Sequence, residues 1–252
     1  MQSCVNERFI GVFDSGIGGI SLLKDLVKNL PNEKFVYLSD SNNAPFGNKS
    51  DRELENIAIK NILQLNNCFQ LKGVVFACNT LSVSVRKRVE EKTGVKIYGV
   101  YPPVEKYLMK GEKVLLLGTV RTIKNFSNLS NLDYIGFKSL AIDIEHNMFN
   151  LKNISIKSNI ENSINRFIYK KGYYDRVILG CTHYIFIKNK IIDHFCPQKI
   201  SSGNEFTLQY ILKDLKYKKS SVKYCENNVF FFGENANVNR EFYVKCGQRS
   251  QN

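Results

Sequence analysis

Two cysteines of this 252-residue chain stand in matching local sequences. Residues 74–80 read Val-Val-Phe-Ala-Cys-Asn-Thr, and residues 177–183 read Val-Ile-Leu-Gly-Cys-Thr-His. Each segment predicts a buried strand that ends in a small residue, then Cys78 or Cys181, two polar residues and a helix. In parallel α/β sheets, ligands bind just beyond the carboxyl ends of strands, and a helix N-terminus favours a thiolate. The duplication therefore predicts two thiols that face one cleft.

A pair of opposed thiols is suited to inverting a stereocentre that carries a hydrogen. One thiolate removes the proton from one face, and the opposite thiol delivers a proton to the other face, so the reaction needs no cofactor. Two other interpretations of Cys78 and Cys181 stay open. They are structural cysteines, which are common at buried strand ends, or they form a disulfide, which requires Cα atoms within about 7 Å.

The segment 14–19, Asp-Ser-Gly-Ile-Gly-Gly, follows the first predicted strand and opens the first predicted helix. Its glycines free backbone N–H groups for an anion such as a carboxylate, but it does not match the dinucleotide pattern G-x-G-x-x-G. Asp14 is predicted to accept a proton from a thiol or to orient it, with helix capping as the alternative. His183, two residues after Cys181, is a candidate to tune that thiol. Residues 45–47, Pro-Phe-Gly, indicate by themselves only a turn.

Composition places the chain among globular proteins, with 43% hydrophobic and 23% charged residues. The longest apolar runs, at 114–117 and 229–232, are too short to cross a bilayer, and no signal-peptide pattern is evident. A protein without a membrane partner, retained in the cytoplasm, is therefore expected. Seven cysteines without a C-x-x-C pair, and only three histidines, predict no metal site and reduced thiols.

The net charge of +13 invites a nucleic-acid interpretation, because basic surfaces attract phosphates. The lysines, however, are spread through the chain. Only 213–223 resembles a cluster, and it lacks the interleaved aromatic residues of a base-stacking surface. The distribution therefore favours a solvated lysine-rich surface, with non-specific polyanion binding as the alternative.

Strand and helix patterns alternate along the chain, which is typical of parallel α/β sheets. Predicted strands are 9–13, 35–38, 74–77, 96–100, 113–117, 137–142, 176–179 and 228–232. Predicted helices are 20–30, 51–69, 81–92, 159–171, 184–195, 203–215 and 235–245, besides a short one after Gly118-Thr119. The double proline at 102–103 is the best internal boundary.

Four ordered motifs, at 14–19, 45–47, 77–80 and 180–184, resemble the marks of the cofactor-independent glutamate racemases of the aspartate/glutamate racemase superfamily. The resemblance covers nearly the whole chain. It implies two parallel-sheet α/β domains related by a pseudo-twofold, with the active site in the cleft between them. Residues 1–100 and 211–252 would form the first domain, and residues 101–210 the second.

The resemblance also implies roles for individual residues. Cys78 and Cys181 would be the two acid/base groups, assisted by Asp14 and His183 respectively. Glu145 falls where the family has another assisting carboxylate, with Asp143 or simple surface exposure as alternatives. Substrate contacts would come from Asp14, Ser15, Phe46, Gly47, Asn79, Thr80, Thr182 and His183. The implied activity is interconversion of L- and D-glutamate without cofactor or metal, by a cytoplasmic homodimer that supplies D-glutamate for peptidoglycan.

Four residues, in three places, depart from the family pattern without removing a proton-transfer group. Leu81 replaces a small residue, Ile185-Phe186 replaces Pro-Leu, and Phe46 replaces the commoner tyrosine. Two other functions stay open. The first is racemisation of another amino acid such as aspartate, which would use the same cysteine pair. The second is a non-catalytic protein that binds polyanions through its basic surface.

Overall fold

Five parallel strands form the first sheet of the computed structural model, which describes residues 8–149, 172–215 and 228–248. They are β1 (Phe9–Asp14), β2 (Lys34–Ser39), β3 (Leu71–Phe76), β4 (Ile97–Gly99) and β9 (Val229–Phe232). Their order is β4-β3-β1-β2-β9, with the C-terminal strand β9 beside β2. β1 is almost entirely buried, as expected for a central strand that is covered on both faces.

Four further parallel strands form the second sheet, in the order β6-β5-β7-β8. They are β5 (Val114–Thr119), β6 (Leu132–Phe137), β7 (Arg176–Gly180) and β8 (Lys199–Ser202). The first four strands of each sheet therefore follow one pattern, in which the earliest strand lies between the second and the third. β3 and β7 are equivalent in this pattern, and each is followed within two residues by one of the two predicted site cysteines.

Ten α-helices connect or flank these strands within the described residues. They are α1 (Ile20–Asn29), α2 (Asp51–Phe69), α3 (Asn79–Ser84), α4 (Arg86–Thr93), α5 (Val104–Leu108), α6 (Val120–Lys124), α7 (Leu140–Phe149), α8 (Lys188–Phe195), α9 (Asn204–Asp214) and α10 (Ala236–Gln248). Short 3-10 helices occupy Ser41–Asn43, Phe46–Asn48 and Thr182–Ile187. α2 begins as the sequence predicts, because Ser50 and Glu53 form a reciprocal capping box.

Apolar side chains on the helices cover the two faces of each sheet. On one face of the first sheet, α1, α9 and α10 contribute Leu23, Ile211 and Phe242 to a single buried cluster. α2 packs on the opposite face through residues such as Leu54 and Ile62. The parallel α/β architecture that the sequence predicts is therefore confirmed, including its two separate sheets. No helix among the described residues has both the length and the apolarity needed to cross a membrane.

Several predicted elements differ from the observed ones. The strand predicted at 137–142 is wrong, because β6 ends at Phe137 and α7 begins at Leu140. The helix predicted at 81–92 is two helices that break at Val85, and β8 has no counterpart in the prediction. The predicted helix at 159–171 and most of the lysine cluster at 213–223 lie outside the described residues.

The division into two domains stays a prediction. The strands of the first sheet lie at 9–99 and 229–232, and those of the second at 114–202. The predicted boundary between residues 210 and 211 falls inside α9. That helix packs on the first sheet, where Thr207 donates a hydrogen bond to the carbonyl of Gly99.

Candidate active site

A cavity of about 430 Å³ collects residues from the carboxyl ends of strands in both sheets. Ten of the eleven predicted site residues line it: Ser15, Phe46, Gly47, Cys78, Asn79, Thr80, Glu145, Cys181, Thr182 and His183. Asp14 is the exception, because it is fully buried and does not line the cavity. Residues from segments more than a hundred positions apart in sequence therefore meet at one place.

The two cysteines reach the cavity by the same local route. Cys78 follows β3 and caps α3 at its N-terminus, and Cys181 follows β7 and precedes the 3-10 helix Thr182–Ile187. Both thiols are free and buried, with 6% of Cys78 and 8% of Cys181 exposed. The predicted disulfide alternative is thus absent, and both sulfur atoms border the same space.

The surroundings of Cys78 favour its neutral thiol form. Burial raises the pKa of Cys78 far above its usual value, and the negative charge of Asp14 raises it further. Backbone N–H groups of Leu81 and Thr80 oppose this shift. Burial also raises the pKa of Asp14, against the lowering effects of the His183 charge and the Gly16 N–H group.

Cys181 lies at one end of a chain of hydrogen bonds through His183 to Glu145. The Cys181 sulfur lies 3.9 Å from Nδ1 of His183, and Nε2 of the same ring lies 2.6 Å from a Glu145 oxygen. Burial by itself lowers the pKa of His183, but Cys181 and Glu145 outweigh it and raise that pKa well above its usual value. The arrangement therefore favours an imidazolium at His183, between the Cys181 sulfur and the Glu145 carboxylate.

Asp14 joins the first sheet to the second from behind the cavity. Its carboxylate accepts a hydrogen bond from the Gly16 N–H at 3.0 Å and another from the Thr182 hydroxyl at 3.1 Å. Thr182 is the immediate neighbour of Cys181 in the second sheet's motif. Asp14 thus holds its own loop in place and fixes the residue next to the opposite cysteine.

The structure brings Glu145, rather than Asp143, to the cavity. Glu145 lies on α7 and accepts hydrogen bonds from the Ile17 N–H and from His183. Asp143 accepts a hydrogen bond from the Ser139 hydroxyl at 3.0 Å and does not line the cavity. Asp143 therefore stabilises the start of α7.

Two glycines let the loop 15–19 approach the second sheet closely. A Cβ atom on Gly18 would lie 2.5 Å from Thr182 Oγ1 and 2.6 Å from His183 Nδ1. A Cβ atom on Gly16 would lie 2.6 Å from Glu145 Oε1. Such separations are shorter than van der Waals contact, so the loop can take this position only because residues 16 and 18 are glycines without a Cβ atom.

The other predicted contacts form a polar rim and an apolar wall. The Asn79 amide donates to the carbonyl of Val100 at 3.1 Å, and the Thr80 hydroxyl lies 3.0 Å from that of Thr119. Phe46 is buried edge-on against Phe13, with ring centroids 6.2 Å apart. Among the described residues, no cluster of three or more His, Cys, Asp or Glu side chains suited to a metal ion occurs.

The chain is 32% identical over 233 residues to a glutamate racemase of Clostridium botulinum, covering 84% of this chain and 85% of that one. The chain belongs to the glutamate racemase family. No protein-family model matches the chain.

Solved structures of glutamate racemases share the fold. The Escherichia coli glutamate racemase, solved with L-glutamate and the activator UDP-MurNAc-Ala, has a TM-score of 0.76 at 21% identity, covering 96% of this chain and 95% of that one. The Francisella tularensis glutamate racemase, solved with D-glutamate, has a TM-score of 0.72 at 23% identity, covering 96% and 95%. Membership of the glutamate racemase family makes this chain an isomerase.

Some residues that line the cavity are not among the predicted site residues. Thr119 is the last residue of β5, the strand of the second sheet that is equivalent to β1, and its hydroxyl contacts those of Thr80 and Thr122. Its position at the end of a central strand is a usable signal. Pro45 belongs to the 45–47 motif. The other additions have no motif to mark them: Ser41, Ala44, Phe137, Lys138, Ala141, Ile142, His146, Asn235, Val238 and Asn239.

Proposed function

We propose that this chain interconverts L- and D-glutamate without a cofactor, with Cys78 and Cys181 as the two acid/base groups. The observation that carries the proposal is the placement of two buried thiols around one cavity, at equivalent strand ends of the two sheets. Family membership supports glutamate as the substrate. The cavity of about 430 Å³ is of the size that suits a small molecule.

In the proposed reaction, one sulfur breaks the Cα–H bond and the other forms a new one on the opposite face. A thiolate takes the proton and becomes a thiol, while the bonding electron pair stays on Cα. The opposite thiol then gives its proton to Cα and becomes a thiolate. Each turnover thus exchanges the protonation states of Cys78 and Cys181, which prepares the enzyme for the reverse direction.

The electrostatics of the two sides support a definite resting state. The raised pKa of Cys78 favours its thiol form, and the raised pKa of His183 favours an imidazolium whose Nδ1 lies 3.9 Å from the Cys181 sulfur. We infer that the resting enzyme has Cys181 as the base and Cys78 as the acid. Substrate that binds in this state is attacked from the Cys181 side.

Asp14, His183 and Glu145 would act as assisting groups. Asp14 would receive or return a proton at Cys78, because its own raised pKa makes its protonated form accessible. Glu145 would hold His183 in place for Cys181. Asp14 does not line the cavity, and its carboxyl accepts a hydrogen bond from the Thr182 hydroxyl. Direct contact of Asp14 with the substrate therefore stays a prediction.

The substrate would be held by hydroxyl, amide and backbone groups around the two thiols. We propose contacts with Ser15, Phe46, Gly47, Asn79, Thr80, Thr182 and His183, which line the cavity. In the cell, the product D-glutamate would supply peptidoglycan synthesis in the cytoplasm. A homodimer is proposed from the family resemblance alone.

Racemisation in deuterated water tests this function. The purified, cofactor-free protein is incubated with L-glutamate, and in parallel with L-aspartate, while optical rotation and Cα deuteration are followed together. We expect loss of optical activity with deuterium entering glutamate only. Turnover of aspartate alone would show that the protein acts as an aspartate racemase. Absence of both reactions, from folded protein with reduced thiols, would favour the polyanion-binding alternative.

A further inference from the structure

One lysine that lines the cavity of the candidate site has no hydrogen-bond or ion-pair partner among the described residues. Lys138 lies between the end of β6 and the start of α7 and is exposed at the rim. It is the only lysine or arginine among the described residues that line the cavity, and its ammonium group has no hydrogen bond or ion pair with any described residue.

The carboxylate that lines the same cavity as Lys138 already has hydrogen-bond partners. Glu145 is the only aspartate or glutamate among the described lining residues, and it accepts hydrogen bonds from His183 and from the Ile17 N–H. Asp143, on the same helix as Glu145, accepts from Ser139. The ammonium of Lys138 is therefore available to a ligand.

The wall beside Lys138 is apolar. Phe137, Ala141 and Ile142 line the cavity next to it on the same segment, and Phe46 lines it from the first sheet. Once a bound ligand excludes water from such surroundings, a charged group needs an opposite charge or several hydrogen bonds, because its desolvation is otherwise costly. A long lysine side chain can lie along an apolar wall while its ammonium stays in water at the rim.

We propose that Lys138 determines specificity for amino acids with an anionic side chain, by pairing with the substrate's distal carboxylate at the rim of the cavity. The inference rests on the proposed function and extends it to the substrate's second charge. Because Lys138 is exposed, the pair contributes modestly and is screened by salt. Its contribution belongs to binding rather than to proton transfer.

Three variants separate charge from packing. Lys138→Met removes the charge but keeps much of the side-chain length, Lys138→Arg keeps the charge, and Lys138→Glu reverses it. Lys87→Met is the matched control, because Lys87 is also an exposed lysine and does not line the cavity. For each protein, kcat and KM for L-glutamate are measured in about 20 mM and about 0.5 M sodium chloride.

At low salt, Lys138→Met is expected to raise KM about two- to fivefold with kcat unchanged, and Lys138→Glu to raise it more. Lys138→Arg and Lys87→Met should match the wild type. At high salt, the difference between Lys138→Met and wild type should disappear. An unchanged KM in Lys138→Met at low salt, or a loss confined to kcat, would overturn the inference.

Calorimetric binding of L-glutamate to the same proteins makes the comparison independent of turnover. A weaker Kd in Lys138→Met, with the same salt dependence, supports the inference even where racemisation is absent. Wild-type protein that binds L-glutamate without racemising it would contradict the proposed function alone. Wild-type protein that racemises normally, with equal Kd in Lys138→Met, would contradict the role of Lys138 alone.

Discussion

The carboxylate of Glu145 accepts a hydrogen bond from the backbone N–H of Ile17, with N···O distances of 3.1 and 3.0 Å to its two oxygens. The two residues are 128 positions apart in sequence. One of the same oxygens lies 2.6 Å from Nε2 of His183. A single side chain on α7 thus fixes a loop of the first sheet and orients the imidazole that faces Cys181.

Replacing Glu145 by glutamine should impair the Cys181 side of the reaction. The carboxylate raises the pKa of His183, so its removal lowers that pKa and the imidazolium is lost at a lower pH. We expect kcat/KM to fall about 10- to 100-fold and its alkaline limb to move to lower pH. The pH profile of kcat/KM provides the measurement.

Asp143→Asn is the matched control for the Glu145 variant. It removes a carboxylate from the same helix, two residues away, but from a side chain that bonds Ser139 rather than His183. Its pH profile should follow the wild type. Equal displacement of the alkaline limb in both variants would contradict a specific role for Glu145.

Each of the changes Cys78→Ser and Cys181→Ser should abolish most of the racemisation. A hydroxyl is far less acidic than a thiol, so one face of the substrate loses its acid or base. We expect the rate to fall about a hundred- to ten-thousand-fold, from L-glutamate and from D-glutamate alike. Polarimetry in both directions measures this loss.

Cys68→Ser provides the control for the thiol variants, because Cys68 is an exposed free cysteine that does not line the cavity. It should retain wild-type rates. Normal racemisation by both Cys78→Ser and Cys181→Ser would contradict the two-thiol mechanism.

Asp14→Asn should change the pH dependence of stability. Burial raises the pKa of Asp14 above its value in the unfolded chain. A carboxyl of this kind contributes less to the free energy of unfolding as pH rises from its unfolded pKa toward its folded pKa. Asparagine cannot ionise, and its amide can replace both the Gly16 and the Thr182 hydrogen bonds.

From about pH 4 to about pH 7, the variant should therefore gain unfolding free energy relative to wild type, while losing racemase activity. Urea unfolding at several pH values measures the difference. A difference that is constant with pH would show that Asp14 is ionised to the same extent in the folded and the unfolded protein.

Gly18→Ala should misplace the second motif without preventing folding. The new methyl group would lie 2.5 Å from Thr182 Oγ1 and 2.6 Å from His183 Nδ1, so these side chains must move. We expect a cost of about 1–3 kcal/mol in stability and about a hundredfold loss of activity. Gly136→Ala is the control, since its methyl group would come no closer than 3.4 Å to another heavy atom. Thermal unfolding and racemisation rates are compared, and equal activities of the two variants would contradict the steric argument.

Sequence patterns were sufficient where a strand is buried on both faces. β1, β3 and β7 are almost continuous apolar runs. Asp14 is the last residue of β1, and Cys78 and Cys181 come just after β3 and β7. Because ligands bind beyond the carboxyl ends of parallel strands, the sequence predicts that Cys78 and Cys181 lie at one cavity, and both residues line it. The same argument applies to Thr119, because β5 is equivalent to β1 in strand order.

The hydrophobic pattern is ambiguous around α7, where the sequence predicts a strand and the structure has a helix. β6 is an edge strand, and its residues Asp133 and Tyr134 are exposed, so it lacks the continuous apolar run of a central strand. The following run 140–144 is too short for its period to distinguish helix from strand. With helical spacing, Ala141, Ile142 and Glu145 share one face, and that face lines the cavity.

The common strand order of the two sheets has a consequence for the energetics of catalysis. L- and D-glutamate are mirror images with equal free energies, so kcat/KM for the two enantiomers must be equal for any catalyst. In the proposed reaction the two enantiomers present their Cα–H bonds to opposite sides of the cavity, so an acid/base group is needed on each side. The shared strand order places a cysteine just beyond the third strand of each sheet, and both cysteines line the cavity. The repeated strand order of the polypeptide thus matches the mirror relation between the two substrates of the proposed reaction.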